Sequence, residues 1–192
     1  MKLQPWTSSA ALAAALLAGC GSSPPLRYYA LDAVAPAGTV AHAPSATPLR
    51  IRHISLPPEM DHRGLTHHAG HDQITISESD QWSAPLAELI QGALTRDLGE
   101  RLGYQQVVAP GAQPLSGGQA SLDLDFVALA ADASCGINAQ VNWVLSVPNS
   151  TPRQGTARLS APATSCPAGL PAALSTALGD LADQLVRQLP SS

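Results

Sequence analysis

Lysine is almost missing from this sequence: Lys2 is the only one among 192 residues. That excludes a phosphate loop of the Gly-x-x-x-x-Gly-Lys type, which needs the lysine ammonium. It also leaves nine scattered arginines against 14 acidic residues, which is no basic stripe for nucleic acid. Aromatic residues make up 4% and charged residues 12%. No apolar run reaches the roughly 20 residues of a membrane-spanning helix. A Gly-x-Ser-x-Gly nucleophile elbow is absent as well. Cysteine occurs three times, at positions 20, 135 and 166. No internal repeat is present.

What is present begins at the N-terminus. Lys2 supplies a positive start and Ala10–Leu17 a short apolar run, followed at once by Leu17-Ala18-Gly19-Cys20. A run this short reads as a signal peptide covering residues 1–19. Small residues at 18 and 19 let an extended backbone enter a peptidase, and the Cys20 sulfur is the nucleophile that accepts lipid. Leu-Ala-Gly-Cys resembles the bacterial lipobox, which makes Cys20 the expected lipidation site. Several palmitate-type chains on one cysteine anchor a protein stably, whereas one chain binds only marginally. Gly21 stands where an Asp would resemble the inner-membrane retention signal, so the pattern implies the outer membrane, with the rest facing the periplasm. Removal of residues 1–19 leaves 173 residues with a net charge of −5. Membrane association then rests on acyl chains rather than on anionic head groups. Residues 20–26 read as a lipidated tether and 27–192 as one periplasmic domain, large enough to bury roughly 70% of its unfolded surface. Cys135 and Cys166 remain as an even pair in an oxidising space, which points to a disulfide.

Hydrophobic periodicity sets the fold expectation. Arg27–Leu31 reads as a first strand, and Ala33–Pro48 as a loop too poor in large apolar residues to bury a face. Leu49–Leu56 alternates with Leu49, Ile51 and His53 on one side until Ile54, where a bulge or edge position would restore the pattern. Gln73–Ser77 alternates again after a polar stretch. Ser83–Leu102 is a helix with Leu86, Leu89, Ile90, Ala93, Leu94, Leu98 and Leu102 on one stripe. Its Glu88, Arg96, Glu100 and Arg101 face water; Pro85 lies in the first turn, and Gly103 is the stop. Trp82 is placed to pack back on that helix. Ser121–Ala131, Ala139–Val147 and Gly155–Pro162 read as strands. A hairpin of the last two, centred between Ser150 and Thr151, sets Cys135 opposite Cys166. Such a bridge contributes about 3–4 kcal/mol in the chain-entropy model. Pro171–Leu189 is a second amphipathic helix, with Leu174, Leu178, Leu181, Leu185 and Leu189 buried. The order strands–helix–strands–helix predicts an α+β fold, a mainly antiparallel sheet with both helices on one face.

Chemistry-bearing residues cluster once, in Glu59-Met60-Asp61-His62-Arg63 followed by His67-His68 and His71-Asp72. His62, His67 and His71 are the weak candidates for a metal site, with Asp61 or Asp72 completing the shell. Their spacing matches no zinc pattern, and Gly64 and Gly70 suggest a polar, mobile loop, so no cofactor is expected. Asp61 and Arg63 could close a turn with an ion pair worth at most about 1 kcal/mol. Neither Cys135 nor Cys166 has an activating base nearby in sequence.

Three segments carry a resemblance. Cys20–Pro25 running into Arg27-Tyr28-Tyr29-Ala30-Leu31 resembles the opening of the PqiC family, the ABC-type transport auxiliary lipoproteins. Ile54-Ser55-Leu56-Pro57-Pro58-Glu59-Met60-Asp61-His62 is similar to the family's strand ending in Leu-Pro with an Asp-Arg-like turn, although His62 replaces the more usual Arg. Trp82-Ser83-Ala84-Pro85-Leu86 resembles its Trp-x-x-Pro-Leu helix start. The resemblance implies a non-enzymatic accessory of an MCE-type lipid transport system. In that role the lipoprotein docks a periplasm-spanning MCE-domain protein at the outer membrane, as a homo-oligomer matched to its partner's symmetry. Lipid is a further candidate ligand. Leu56, Pro57, Asp61 and Trp82 become the partner-binding candidates. Two other readings stay open: a structural envelope lipoprotein of a different periplasm-spanning machine, and a metal-binding periplasmic protein using the histidine stretch. The anchor itself is testable. Cys20→Ala is expected to leave the domain folded but detached, with envelope function lost at normal protein levels; full complementation by the soluble form would reduce the anchor to an address.

Overall fold

The computed structural model describes residues 24–36, 47–70, 72–115 and 117–189. The expected signal peptide over residues 1–19 and Cys20 lie outside those residues. Seven strands form two sheets. β1 (Arg27–Tyr29), β4 (Ile74–Trp82) and β3 (Gly64–His68) make a small sheet in the order β1-β4-β3. β2 (Leu49–Ser55), β5 (Ala120–Ala131), β6 (Ile137–Ser146) and β7 (Arg153–Ala161) make a larger one in the order β2-β5-β6-β7. β1 runs parallel to β4 and β2 parallel to β5, and the remaining pairs are antiparallel. The class is α+β with mainly antiparallel strands, in two sheets where sequence periodicity suggested one.

The large sheet buries one face, as its alternation requires. Leu122, Leu124 and Phe126 of β5 point inward with Ile137, Val141, Trp143 and Leu145 of β6 and Ala157, Leu159 and Ala161 of β7. A bulge between Phe126 and Ala128 turns Val127 outward, and Leu129 and Ala131 then resume the buried side. Helix α1 (Leu86–Leu102) and helix α2 (Leu170–Val186) cover that face, α1 against β2 and α2 against β6 and β7. In β2 the register shifts between Ile51 and His53, so Arg52 is the extra residue. This reverses the expected side of His53, which is exposed, while Ile54 packs against the core.

Two further expectations change. The histidine-rich stretch is not a loop throughout: Gly64–His68 is β3, paired with β4, because the flanking Leu65 and Thr66 are buried. Arg101 does not face water. Its side chain is almost wholly buried, donating to the Asp183 carboxylate at 2.7 Å and to the carbonyls of Val34, Asp97 and Gly179 at 3.0–3.1 Å. An apolar-stripe reading cannot see this, since the stripe is drawn on one helix and the partners lie on other segments.

That arginine is part of a knot joining both helices to the strap Leu31–Pro36. The Val34 N–H donates to Asp97 Oδ1 at 2.7 Å, the Asp32 N–H to the Ser175 hydroxyl at 3.2 Å, and Arg96 to the Leu31 carbonyl at 2.6 Å. Gly179 permits the crossing, because a Cβ there would sit 2.9 Å from Val34 Cβ. The start of the expected Ala33–Pro48 loop is therefore pinned by polar bonds, and residues 37–46 lie outside the described set. Burial pushes the Asp97 carboxyl up to about 6, against the opposing pull of the Val34 N–H and Arg101.

Because the folded value lies above the unfolded 3.8, stability is fullest below about pH 4 and falls as pH rises through about 6. Asp97→Asn keeps an acceptor for Val34 and removes the ionisation. Its stability relative to wild type is expected to improve between pH 4 and 7 by at most about 3 kcal/mol, measured by denaturant unfolding. A difference that stays flat across that range would contradict the account.

Candidate functional site

The strongest candidate is a surface cleft of about 180 Å³ lined by Asp61, His62, Arg63, Ala84, Pro85 and Leu86. It forms where two segments distant in sequence meet. Pro57, buried, starts a 3-10 turn over Pro58–Met60, closed by Met60 N–H to the Pro57 carbonyl at 2.9 Å. Met60 plugs into the core, which leaves Asp61, His62 and Arg63 exposed on the following bend. From the other side, β4 ends at Trp82, whose N–H donates to the Arg63 carbonyl at 2.8 Å. Ser83-Ala84-Pro85 then leads into α1. Pro85 takes the N-cap position, outside the helical turn expected for it, and Leu86 forms the buried floor.

Of the four partner-binding candidates, the structure exposes only Asp61. Leu56 is half-buried, and Pro57 and Trp82 are buried next to the segments that line the cleft. Arg63, Ala84 and Pro85 complete the rim. None of the three is among the partner-binding candidates, although the Trp-x-x-Pro-Leu segment contains two of them.

Asp80 holds the small sheet together beside this cleft. It is buried, and its carboxylate accepts from Arg27, Tyr29, Ser77 and Ser79 at 2.9–3.1 Å. Burial alone would raise this carboxyl; the four donors outweigh it and hold it below 3.8. Through Asp80 and the bond from Ser83 N–H to the Tyr29 carbonyl, β1 is fastened to the strand that ends at the cleft.

The metal candidates are described only in part. His62 lines the cleft, His67 lies on β3, and His71 falls outside the described residues. Among the described residues the set with ligand atoms in mutual reach is His67 with Cys135 and Cys166, within 4.8 Å. Those two cysteines are joined as a disulfide with Cα atoms 5.2 Å apart. The route differs from the one expected. The hairpin of β6 and β7 is centred on Asn149, in the left-handed region at φ 60°, so the register counterpart of Cys135 is position 163. The bond forms because Cys135 sits on a turn closed by its own N–H to Asp132, and residues 162–166 fold back over it.

The other large depression lies on the uncovered face of the long sheet. About 600 Å³ is bounded by His53, Asp123, Asp125, Asn142, Gln154 and Thr156 among others. Its polar groups pair with each other, Arg52 with Asp123, Ser55 with Asp125 and Thr156 with Asn142. These bonds satisfy the polar groups of a solvated sheet face.

The family model described as ABC-type transport auxiliary lipoprotein component matches residues 29–186. The chain belongs to that family. The PqiC-like segments Ile54–His62 and Trp82–Leu86 fall within the match and build the cleft. A crystal structure of an uncharacterized protein superposes with a TM-score of 0.70 at 15% identity, covering 87% of this chain and all of that one. Protein XCC0632 from Xanthomonas campestris superposes with a TM-score of 0.64 at 15% identity, covering 83% of this chain and 92% of the other. These likenesses show a shared fold. Comparison with curated proteins yields no match. The family is an auxiliary component of transport, and among the described residues no helix is long and apolar enough to cross a membrane.

Asp80→Asn is expected to cost about 2 kcal/mol at pH 7, since charge-assisted bonds to a buried acceptor are weakened. Because the folded carboxyl titrates below the unfolded one, its contribution is present above about pH 4 and lost as pH falls, so the deficit should shrink in acid. Urea unfolding at both pH values measures this, and an undiminished deficit in acid would contradict it.

Proposed function

We propose that this protein is the outer-membrane lipoprotein subunit of an MCE-type ABC lipid transport system, anchored through Cys20 and docking the MCE-domain protein that crosses the periplasm. Residues 27–192 act as the periplasmic domain and Cys20–Leu26 as the tether. The role is non-enzymatic: the protein binds and holds. One observation carries the reading. The two family-like segments that lie some twenty residues apart in sequence converge on one exposed cleft, with a buried floor at Leu86 and a polar rim at Asp61, His62 and Arg63. An apolar floor inside a charged rim is the anatomy of a docking site, where the floor supplies affinity and the rim supplies register. A homo-oligomer would repeat this cleft around the partner's axis.

A photo-crosslinking residue in place of Arg63, in the lipidated protein in living cells, tests this directly. Capture of an MCE-domain protein is expected, with capture lost in the Asp61→Arg, Pro85→Glu background. Recovery of no MCE-domain protein from repeated trials at normal expression would overturn the docking role.

A further inference from the structure

One face of the small sheet exposes a strip of apolar side chains near the end where the chain enters β1. Paired residues in a ladder point to the same side, and alternate residues along a strand share a side. Tyr28 pairs with Gln81 and Gln81 with Gly64; on β3 the same side continues through Thr66, opposite Ile76, and His68, opposite Ile74, because the register shift between Gly64 and Thr66 is taken up in β4 over Ser77–Asp80, where β4 changes the side of its alternation. Tyr28, Ile76 and Ile74 therefore share one face, with Leu26 just ahead of Tyr28. Their exposures are 60%, 45%, 42% and 55% in that order. Ile76 leans over Gly64, where a Cβ would lie 2.7 Å from Ile76 Cγ2. The opposite side of β3 carries Leu65, fully buried, and His67 against the disulfide, so the apolar strip faces away from the core.

Strand direction connects the strip to the tether. β1 runs parallel to β4, so the chain going back from Arg27 toward Cys20 travels toward the β3–β4 turn, where Ile74 stands. Cys20 is seven residues before Arg27, about 23 Å of extended chain, and Ile74 is six residues before Asp80, at most about 20 Å. An extended tether is therefore long enough for Cys20 to reach the level of the hairpin tip. The hairpin carries no Lys or Arg; of its acidic residues Asp72 and Glu78 are exposed and Asp80 is buried against Arg27, so its fixed charges do not attract an anionic surface. A partner for this strip has to be apolar, at the position where the tether's acyl chains enter the bilayer.

We propose that the face bearing Leu26, Tyr28, Ile74 and Ile76 lies on the phospholipid surface of the membrane that holds Cys20. The two isoleucines enter the boundary of the acyl region and the Tyr28 hydroxyl stays at head-group level. This rests on the lipidation of Cys20. It makes the lipoprotein an oriented plug rather than a domain on a free leash. The β3–β4 tip neighbours Ala130 and Asp132 at the end of β5, so the Pro148–Pro152 turn at the opposite end of the long sheet points away from the membrane.

The experiment uses the full lipidated protein, purified from membranes and reconstituted into phosphatidylethanolamine and phosphatidylglycerol vesicles with or without brominated acyl chains. Trp82 and Trp143 are buried and give a constant background. A tryptophan at an exposed position, Ile74→Trp, is expected to lose intensity in brominated vesicles and shift to the blue on reconstitution. Ser150→Trp, in the distal turn, is expected to be unaffected. A protein that floats with the vesicles while tryptophan at 74 stays unquenched overturns the membrane face and leaves the anchor standing. Equal quenching at 74 and 150 overturns it too, because lipid would then select no face. A protein that does not float with vesicles overturns the anchor, and the membrane face with it.

Discussion

The arrangement depends on one buried charge, the Arg101 guanidinium between the two helices. Its donors reach α1, α2 and the strap in one place, with two of the four acceptors on α2 and one each on α1 and the strap. A buried guanidinium is costly unless its donors are met, so the strap cannot drift without taking away one of its four acceptors. Asp97 beside it caps the strap's Val34 N–H while remaining itself hard to ionise. The helix layer therefore fixes where residues 31–36 run, and these follow directly from β1.

From that fixed strap the small sheet takes its place. β1 is only three residues long, too short to stand on ladder bonds alone, and Asp80 supplies the missing hold through Arg27 and Tyr29. β4 then carries this hold in two directions. At its C-terminal end it sets Trp82 and the cleft; at its N-terminal end it sets the apolar tip. One strand thus links the side proposed to face lipid with the side proposed to face the partner, and neither site needs a catalytic group.

Much of this was legible in the residues. Period-two alternation in β5, β6 and β7 and the leucine stripes of both helices follow from burying one face, and burial on one face is a local pattern. The bulge in β2 was legible as a break in phase, though it falls at Arg52 rather than Ile54. β3 was not legible, because Gly64, His67 and His68 have the composition of a loop, and it is a strand only because β4 pairs with it while Leu65 is buried beneath. The cysteine pair was legible from its even count and compartment. The hairpin register used to place it was off by three residues, since turn geometry at Asn149 sets register and that turn's type is not written in the strands.

The sequence alone determined the secondary structure of the long sheet and helices, the lipobox-like Cys20 and the family segments, because each is a matter of neighbours along the chain. Only the tertiary structure decided that the strands divide into two sheets, that Arg101 and Asp80 are buried hubs, and that Asp61–Arg63 and Ala84–Leu86 share a cleft. The physical reason is the same for all three. A buried polar group or a cleft is defined by partners tens of residues away, and its desolvation is settled only when the chain has closed around it.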